Sequence, residues 1–107
     1  MKHKFNAKPQ ICDGIKFPSK AEARYYKQLQ QAEKSSELLF FLRQVPFHLP
    51  GNIKYVVDFV EFWAPKNGEP GDVVFTDVKG MMTPLARTKI AQVESLYPIK
   101  INIVKNP

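Results

Sequence analysis

The stretch VVFTDVKG, residues 73–80, decides how this chain is read. Val73, Val74, Phe75 and Val78 are β-branched or aromatic and predict a buried strand. Within it stand an acid, Asp77, and a lysine, Lys79. Side chains at i and i+2 of a strand share a face, so Asp77 and Lys79 point one way and Val78 the other. One reading is a solvent-facing ion pair on a half-exposed strand, worth under about 1 kcal/mol. The other is a metal-ligating carboxylate beside a lysine that handles a nucleophilic water.

The flanking sequence builds a sheet around that strand. IKYVVDFVEFWA, residues 53–64, is rich in β-branched and aromatic residues and predicts a strand, with the loop PKNGEPG after it. Pro50-Gly51-Asn52 is a turn. Before it, LLFFLRQVPFHL could begin as continued helix, but Pro46 favours extended backbone, and a strand is expected over Phe40 to Leu49. These three strands make a meander. Gly80 ends the third, and Thr83-Pro84 starts a helix as N-cap and first helical residue. Leu85, Ile90, Val93 and Leu96 are its expected apolar face, Pro98 stops it, and IKINIVK alternates as a last strand.

Toward the N-terminus, PSKAEARYYKQLQQAEK carries Ser19 and Glu22 as S-x-x-E, a capping box. Ala21, Tyr25, Leu29 and Ala32 recur at helical spacing up to Ser35-Ser36. Asp13-Gly14 predicts a tight hairpin turn, and residues 1–10 an exposed basic arm with Lys2, His3, Lys4 and Lys8. The order is helix, three strands, helix, strand, which places the chain in the α/β or α+β class as one domain over residues 1–107.

Composition limits the function. The 107 residues suffice for one core, and 44% hydrophobic with 24% charged residues argues against disorder. No apolar run approaches the ~20 residues of a membrane span, and the basic N-terminus has no apolar core behind it, so no secretory signal is expected. Cys12 is the one cysteine, which leaves no internal disulfide, and with His3 and His48 far off it predicts no zinc cluster. A reducing cytoplasm is the expected compartment. A net charge of +6 fits a polyanion partner, nucleic acid being the commonest.

Asp58 interrupts YVVDFVEFW as Asp77 interrupts the next strand. Aspartate is poorly suited to a central strand, and one on each of two adjacent strands points to a shared purpose. If both face the same way, their oxygens can share Mg²⁺ or Mn²⁺, which takes one or two carboxylates plus waters and phosphate oxygens. Lys79, on the face of Asp77, can orient a water or offset charge on a phosphate. These parts fit phosphodiester hydrolysis.

The pair VVD58F and TD77VK79G, with the αβββαβ order, resembles the PD-(D/E)XK nuclease superfamily of the restriction-endonuclease-like fold. DGIKFPSKAEARYY, RQVPFHL, and DVKGMMTP followed by a helix and IKINIV resemble a small phage-encoded family of unknown function and, more distantly, phage endonucleases that resolve branched DNA. The resemblance implies metal-dependent DNA cleavage. Asp58 and Asp77 would be metal ligands, Lys79 the catalytic lysine, the Val78 carbonyl a further ligand, and Glu22 the acid that joins from the first helix. Val57 stands where the superfamily's name has a proline.

The remaining residues carry two readings each. Glu22 is a capping-box member or a site acid. Gln44 is a polar strand residue or a group at the site's edge. Thr83, Arg87 and Lys89 belong to a solvated helix start or contact phosphate. Lys16, Lys20 and Arg24 would add salt-dependent affinity for DNA. Glu61, three residues from Asp58, is expected on the opposite face and at the surface. Asp72 reads as turn chemistry, and Tyr25, Tyr26, Phe62 and Trp63 as core or dimer contacts. The leading expectation is a Mg²⁺- or Mn²⁺-dependent endonuclease, a Holliday junction resolvase acting as a homodimer because symmetric cuts need two sites. A nicking or structure-independent nuclease, or a non-catalytic DNA-binding accessory protein on the same fold, is the alternative.

Overall fold

The computed structural model describes residues 8–107, so Lys2, His3 and Lys4 of the expected basic arm lie outside the described residues. Lys8 is exposed. β1 (Gln10–Cys12) and β2 (Ile15–Phe17) pair antiparallel across Asp13-Gly14. Both turn residues have positive φ, +52° and +75°, the left-handed pair that a two-residue hairpin turn demands.

α1 (Lys20–Lys34) starts at Ser19, whose side chain accepts the Glu22 amide at 3.1 Å. The Glu22 carboxylate turns inward, to 3% exposure, where Gln44 Nε2 donates to it at 3.4 Å. The buried face of α1 is centred on Glu22, Ala23, Tyr26 and Leu29, with Tyr25 and Ala32 partly covered. β3 (Leu38–Leu49) begins two residues earlier than expected. Ser36, at φ +64°, turns the chain from helix into strand within one step, and Leu38 already pairs with Trp63.

β3, β4 (Ile53–Trp63) and β5 (Val73–Val78) form the expected antiparallel meander. α2 (Pro84–Leu96) then carries the chain to β6 (Ile101–Val104), parallel to β5, giving a mixed four-stranded sheet in the order β3-β4-β5-β6. The class is α+β. Among the described residues, no helix is long and apolar enough to cross a membrane.

Core residues pack on both sides of this sheet. Phe17, Ala23, Tyr26, Leu29, Leu38 and Phe59 form one cluster under α1; Leu49, Tyr55, Val57, Val60, Val93 and Ile101 form the other under α2. The α2 stripe is narrower than its apolar residues suggested. Val93 is fully buried, with Ile90 and Tyr97 beside it, whereas Leu85 and Leu96 are 65% and 53% exposed. A short helix on a narrow sheet covers only about a third of its circumference, and those two leucines fall off the edge of it.

The long β3–β4 hairpin does not keep one alternation throughout. Phe41 and Phe59 pack on the α1 side, while Val45, Phe47 and Val57 pack on the α2 side, although all are odd-numbered. The switch falls at Gln44, φ +53°, whose expected partner Asp58 is missing from a ladder that holds Arg43↔Phe59 and Val45↔Val57. A non-glycine residue in left-handed backbone bends a strand and re-aims the side chains around it.

Glu61, expected at the surface, is buried instead. The residue is 1% exposed, and its carboxylate accepts the Tyr25 hydroxyl at 2.6 Å and the Trp63 indole N–H at 3.0 Å. The surface expectation fails because α1 covers this face, where Phe59 and Trp63 pack on either side of Glu61. Tyr25→Phe takes one donor from a buried carboxylate. It is expected to lower stability by about 1.5–3 kcal/mol, read as a lower urea midpoint, and an unchanged midpoint would contradict this role.

Candidate active site

The β4–β5 ladder runs from Phe62↔Val73 to Phe59↔Thr76 and stops there. Asp58 and Asp77 occupy the next place on each strand. Their carboxylates take over from backbone carbonyls: Asp77 Oδ1 accepts the Asp58 amide and Asp58 Oδ2 accepts the Val78 amide, each at 2.9 Å. The two aspartates that are awkward for a strand thus satisfy the amides freed where the sheet forks.

Each carboxylate uses one oxygen in this way. The other oxygen of Asp77, Oδ2, is buried without a hydrogen-bond partner, and its nearest cation is the Lys79 ammonium at 3.5 Å. Lys79 shares the face of Asp77, as strand geometry predicts, and its ammonium also lies 5.7 Å above the Tyr55 ring. The Val78 amide points into the fork. Within a strand a residue's N–H and C=O face the same neighbour, so the Val78 carbonyl is turned the same way.

Burial lifts all three acids above the ordinary carboxylate range. Glu22 is pushed up to about 7, first by burial and then by the Asp58 charge, with Arg43 opposing. Asp58 is raised by burial against the pull of the Val78 amide and Lys79. Asp77 is raised by burial against the Asp58 amide and Lys79. Acids that resist ionising side by side are relieved by a divalent cation. Among the described residues, no three Asp, Glu, His or Cys side chains converge as a ready-made cage. Mg²⁺ does not require one, because waters and substrate oxygens complete its shell. The orphaned Asp77 oxygen and the Asp58 carboxylate are hard oxygen donors that suit Mg²⁺ or Mn²⁺, and Glu22 stands near enough to feel both charges.

The raised Glu22 has a measurable consequence. Its favourable term is fully present below the unfolded value near 4.5 and is lost as pH rises through about 7. Without metal, stability should fall over that window by at most about 3 kcal/mol, less where solvent screens the cleft. Glu22→Gln should flatten the upper part of the curve of melting temperature against pH. A mutant curve that overlays the wild type would contradict the assignment.

The other expected site residues separate. Gln44 joins the cluster through Glu22. Thr83 is the N-cap of α2, its hydroxyl accepting the Ala86 amide at 3.1 Å. Arg87 is exposed and Lys89 half-buried on the same helix. Lys16, Lys20 and Arg24 are exposed, and Arg24 Nε donates to the Pro107 carbonyl at 3.0 Å. Lys20 and Arg24 stand two residues either side of Glu22, a spacing that turns them away from it on a helix. The sequence reading missed Arg43, whose charge reaches both Glu22 and Asp58. A lone cation inside the apolar run LLFFLRQVPFHL was the available signal.

Fold and site together define an α+β protein with a buried acid–lysine cluster where a mixed sheet forks. Residues 2–106 match the family described as "Protein of unknown function (DUF1064)", and the chain belongs to that family. No curated protein and no solved structure matches the chain.

Proposed function

We propose that the protein is a metal-dependent DNA endonuclease of the PD-(D/E)XK type, acting on branched DNA such as four-way junctions. The observation that carries this reading is the fork itself: Asp58 and Asp77 joined through each other's strand, with Lys79 3.5 Å from the unpartnered Asp77 oxygen. A structural ion pair would not need a second carboxylate and a third acid, Glu22, raised first by burial and then by the Asp58 charge.

Asp77 Oδ2, the Asp58 carboxylate and the Val78 carbonyl would hold Mg²⁺ or Mn²⁺, with Glu22 reaching it directly or through water. A cation held there supplies Lewis-acid polarisation of the phosphate and a more acidic water. Lys79 orients the attacking water and offsets charge as it builds on the phosphate. Asp77 holds the Lys79 ammonium in place, and the Tyr55 ring below limits its travel. The fork amides fix both aspartates, so the site is set before substrate arrives.

A net charge of +6 and the exposed Lys16, Lys20, Arg24 and Arg87 support an anionic partner of extended reach. Resolving a junction takes paired cuts, and a chain with one such cluster would supply them as a homodimer. The test is a panel of labelled four-way junctions, flaps, duplexes and single strands with Mg²⁺ or Mn²⁺. Paired, symmetric incisions of the junction are expected. Cutting of plain duplex alone would move the reading to a nicking enzyme, and no cleavage of any substrate would overturn it.

A further inference from the structure

Arg43 is half-buried midway along β3, the edge strand of the sheet, and its guanidinium lies 4.6 Å from the centroid of the Phe17 ring. Its Nε is buried with no hydrogen-bond partner, and among the described residues no carboxylate stands within ion-pair distance of it. An arginine placed at such depth is ordinarily paired with an acid or fully hydrogen-bonded. Here the nearby acids are those of the cleft, and the Arg43 charge is felt by Glu22 and Asp58 without contact.

The backbone explains how it comes to be there. Consecutive residues of a strand point to opposite faces, so Arg43 and Gln44 should diverge. The left-handed Gln44, φ +53°, breaks that rule. Gln44 reaches Glu22 at 3.4 Å, while Arg43, opposite Phe59, stays on the α1 side above Phe17. Left-handed backbone at a non-glycine residue is unfavourable and is commonly kept where a site needs it. Two adjacent side chains, a guanidinium and an amide, are thereby delivered to the rim of one acidic cleft.

We propose that Arg43, held on the α1 side by ordinary alternation from Phe41, is the group of this cleft that binds a backbone phosphate of DNA, and that the Gln44 kink brings a second donor beside it. This rests on the nuclease reading and names the contact that reading lacked. A guanidinium is the side chain best matched to a phosphate, offering paired N–H donors in one plane. Its stack on Phe17 fixes the plane and leaves the charge unspent on any protein acid. The role is positioning: Arg43 holds the strand beside the acids and Lys79, and takes no part in bond breaking.

The experiment measures binding of a fluorescent 30-base-pair duplex and a four-way junction to Arg43→Gln and Arg43→Lys in a Lys79→Ala background, with EDTA present to stop residual cleavage, over a series of salt concentrations. Mn²⁺ affinity and thermal melting are read on the same proteins. Arg43→Gln should weaken DNA binding by about tenfold and reduce the salt slope by about 1. Arg43→Lys should keep the slope and lose about threefold for want of the fork. Mn²⁺ affinity should hold or rise in Arg43→Gln, since a competing cation has gone. Folded variants that bind DNA like their parent overturn the proposal while leaving the nuclease reading standing. Loss of the native melting transition in both variants makes Arg43 structural and also overturns it. If Mn²⁺ fails to bind the wild type yet Arg43→Gln still loses DNA affinity, the phosphate contact stands and the nuclease reading falls.

Discussion

Asp77→Asn is expected to cut DNA at least about a thousandfold more slowly than the wild type, and to melt at the same temperature or higher. The two effects have separate physical causes. The variant keeps an amide oxygen where Oδ1 accepts the Asp58 N–H, so the fork survives. It loses the anionic oxygen that stands buried, unpartnered and 3.5 Å from Lys79. Asp77 is raised by burial, so its charge strains the metal-free protein and also disfavours ionisation of Glu22. Removing it should add on the order of 1 kcal/mol of stability, less the lost attraction to Lys79. Cleavage assays beside thermal melts decide the matter. Activity and stability falling together would mark Asp77 as a structural group.

Lys79→Ala should lower cleavage by about a hundredfold to ten-thousandfold, the usual range for a positioned proton-handling or charge-offsetting group. Its effect on metal binding should have the opposite sign to that of Asp77→Asn. Lys79 is the cation nearest the candidate ligand oxygen, and deleting it removes a competitor, so Mn²⁺ should bind as well or better. The side chain is only 22% exposed and lies over the Tyr55 ring, so a thermal melt run beside the assay separates lost packing from lost chemistry. A single-turnover assay at saturating Mn²⁺ separates this from weakened binding. Cleavage within about threefold of the wild type would remove Lys79 from the chemistry, since even a modest general acid or base contributes more.

Much of this architecture could be read from the chain because local signals agreed with tertiary structure. Asp13-Gly14, Ser19 with Glu22, and Thr83-Pro84 each became the turn or cap their chemistry dictates. Asp77 and Lys79 meet because β5 is regular to its end at Val78 and Lys79, directly after it, still bonds the Val104 carbonyl. What failed to show was everything that depends on the kink at Gln44. No residue-type signal announces that a glutamine will adopt φ +53°, so nothing in the chain put Arg43 and Gln44 on one face, and nothing marked the face of Glu61 as covered. Leu85 and Leu96 misled for another reason: apolar residues mark an available face, and only the width of the opposing sheet decides how much of it is covered. Glu22 could not be settled from S-x-x-E, because a cap and an inward carboxylate share one sequence pattern. The burial of its side chain against Gln44 decides between them.

The central claim is that the carboxylates of Asp58 and Asp77 form one divalent-cation site. Titration calorimetry with Mn²⁺ on the wild-type protein near pH 7.5 tests it most directly, with Asp77→Asn and Lys79→Ala run alongside. Saturable binding to the wild type and to Lys79→Ala, and none to Asp77→Asn, is the expected result. No heat of binding to the wild type, or equal binding by Asp77→Asn, would contradict it.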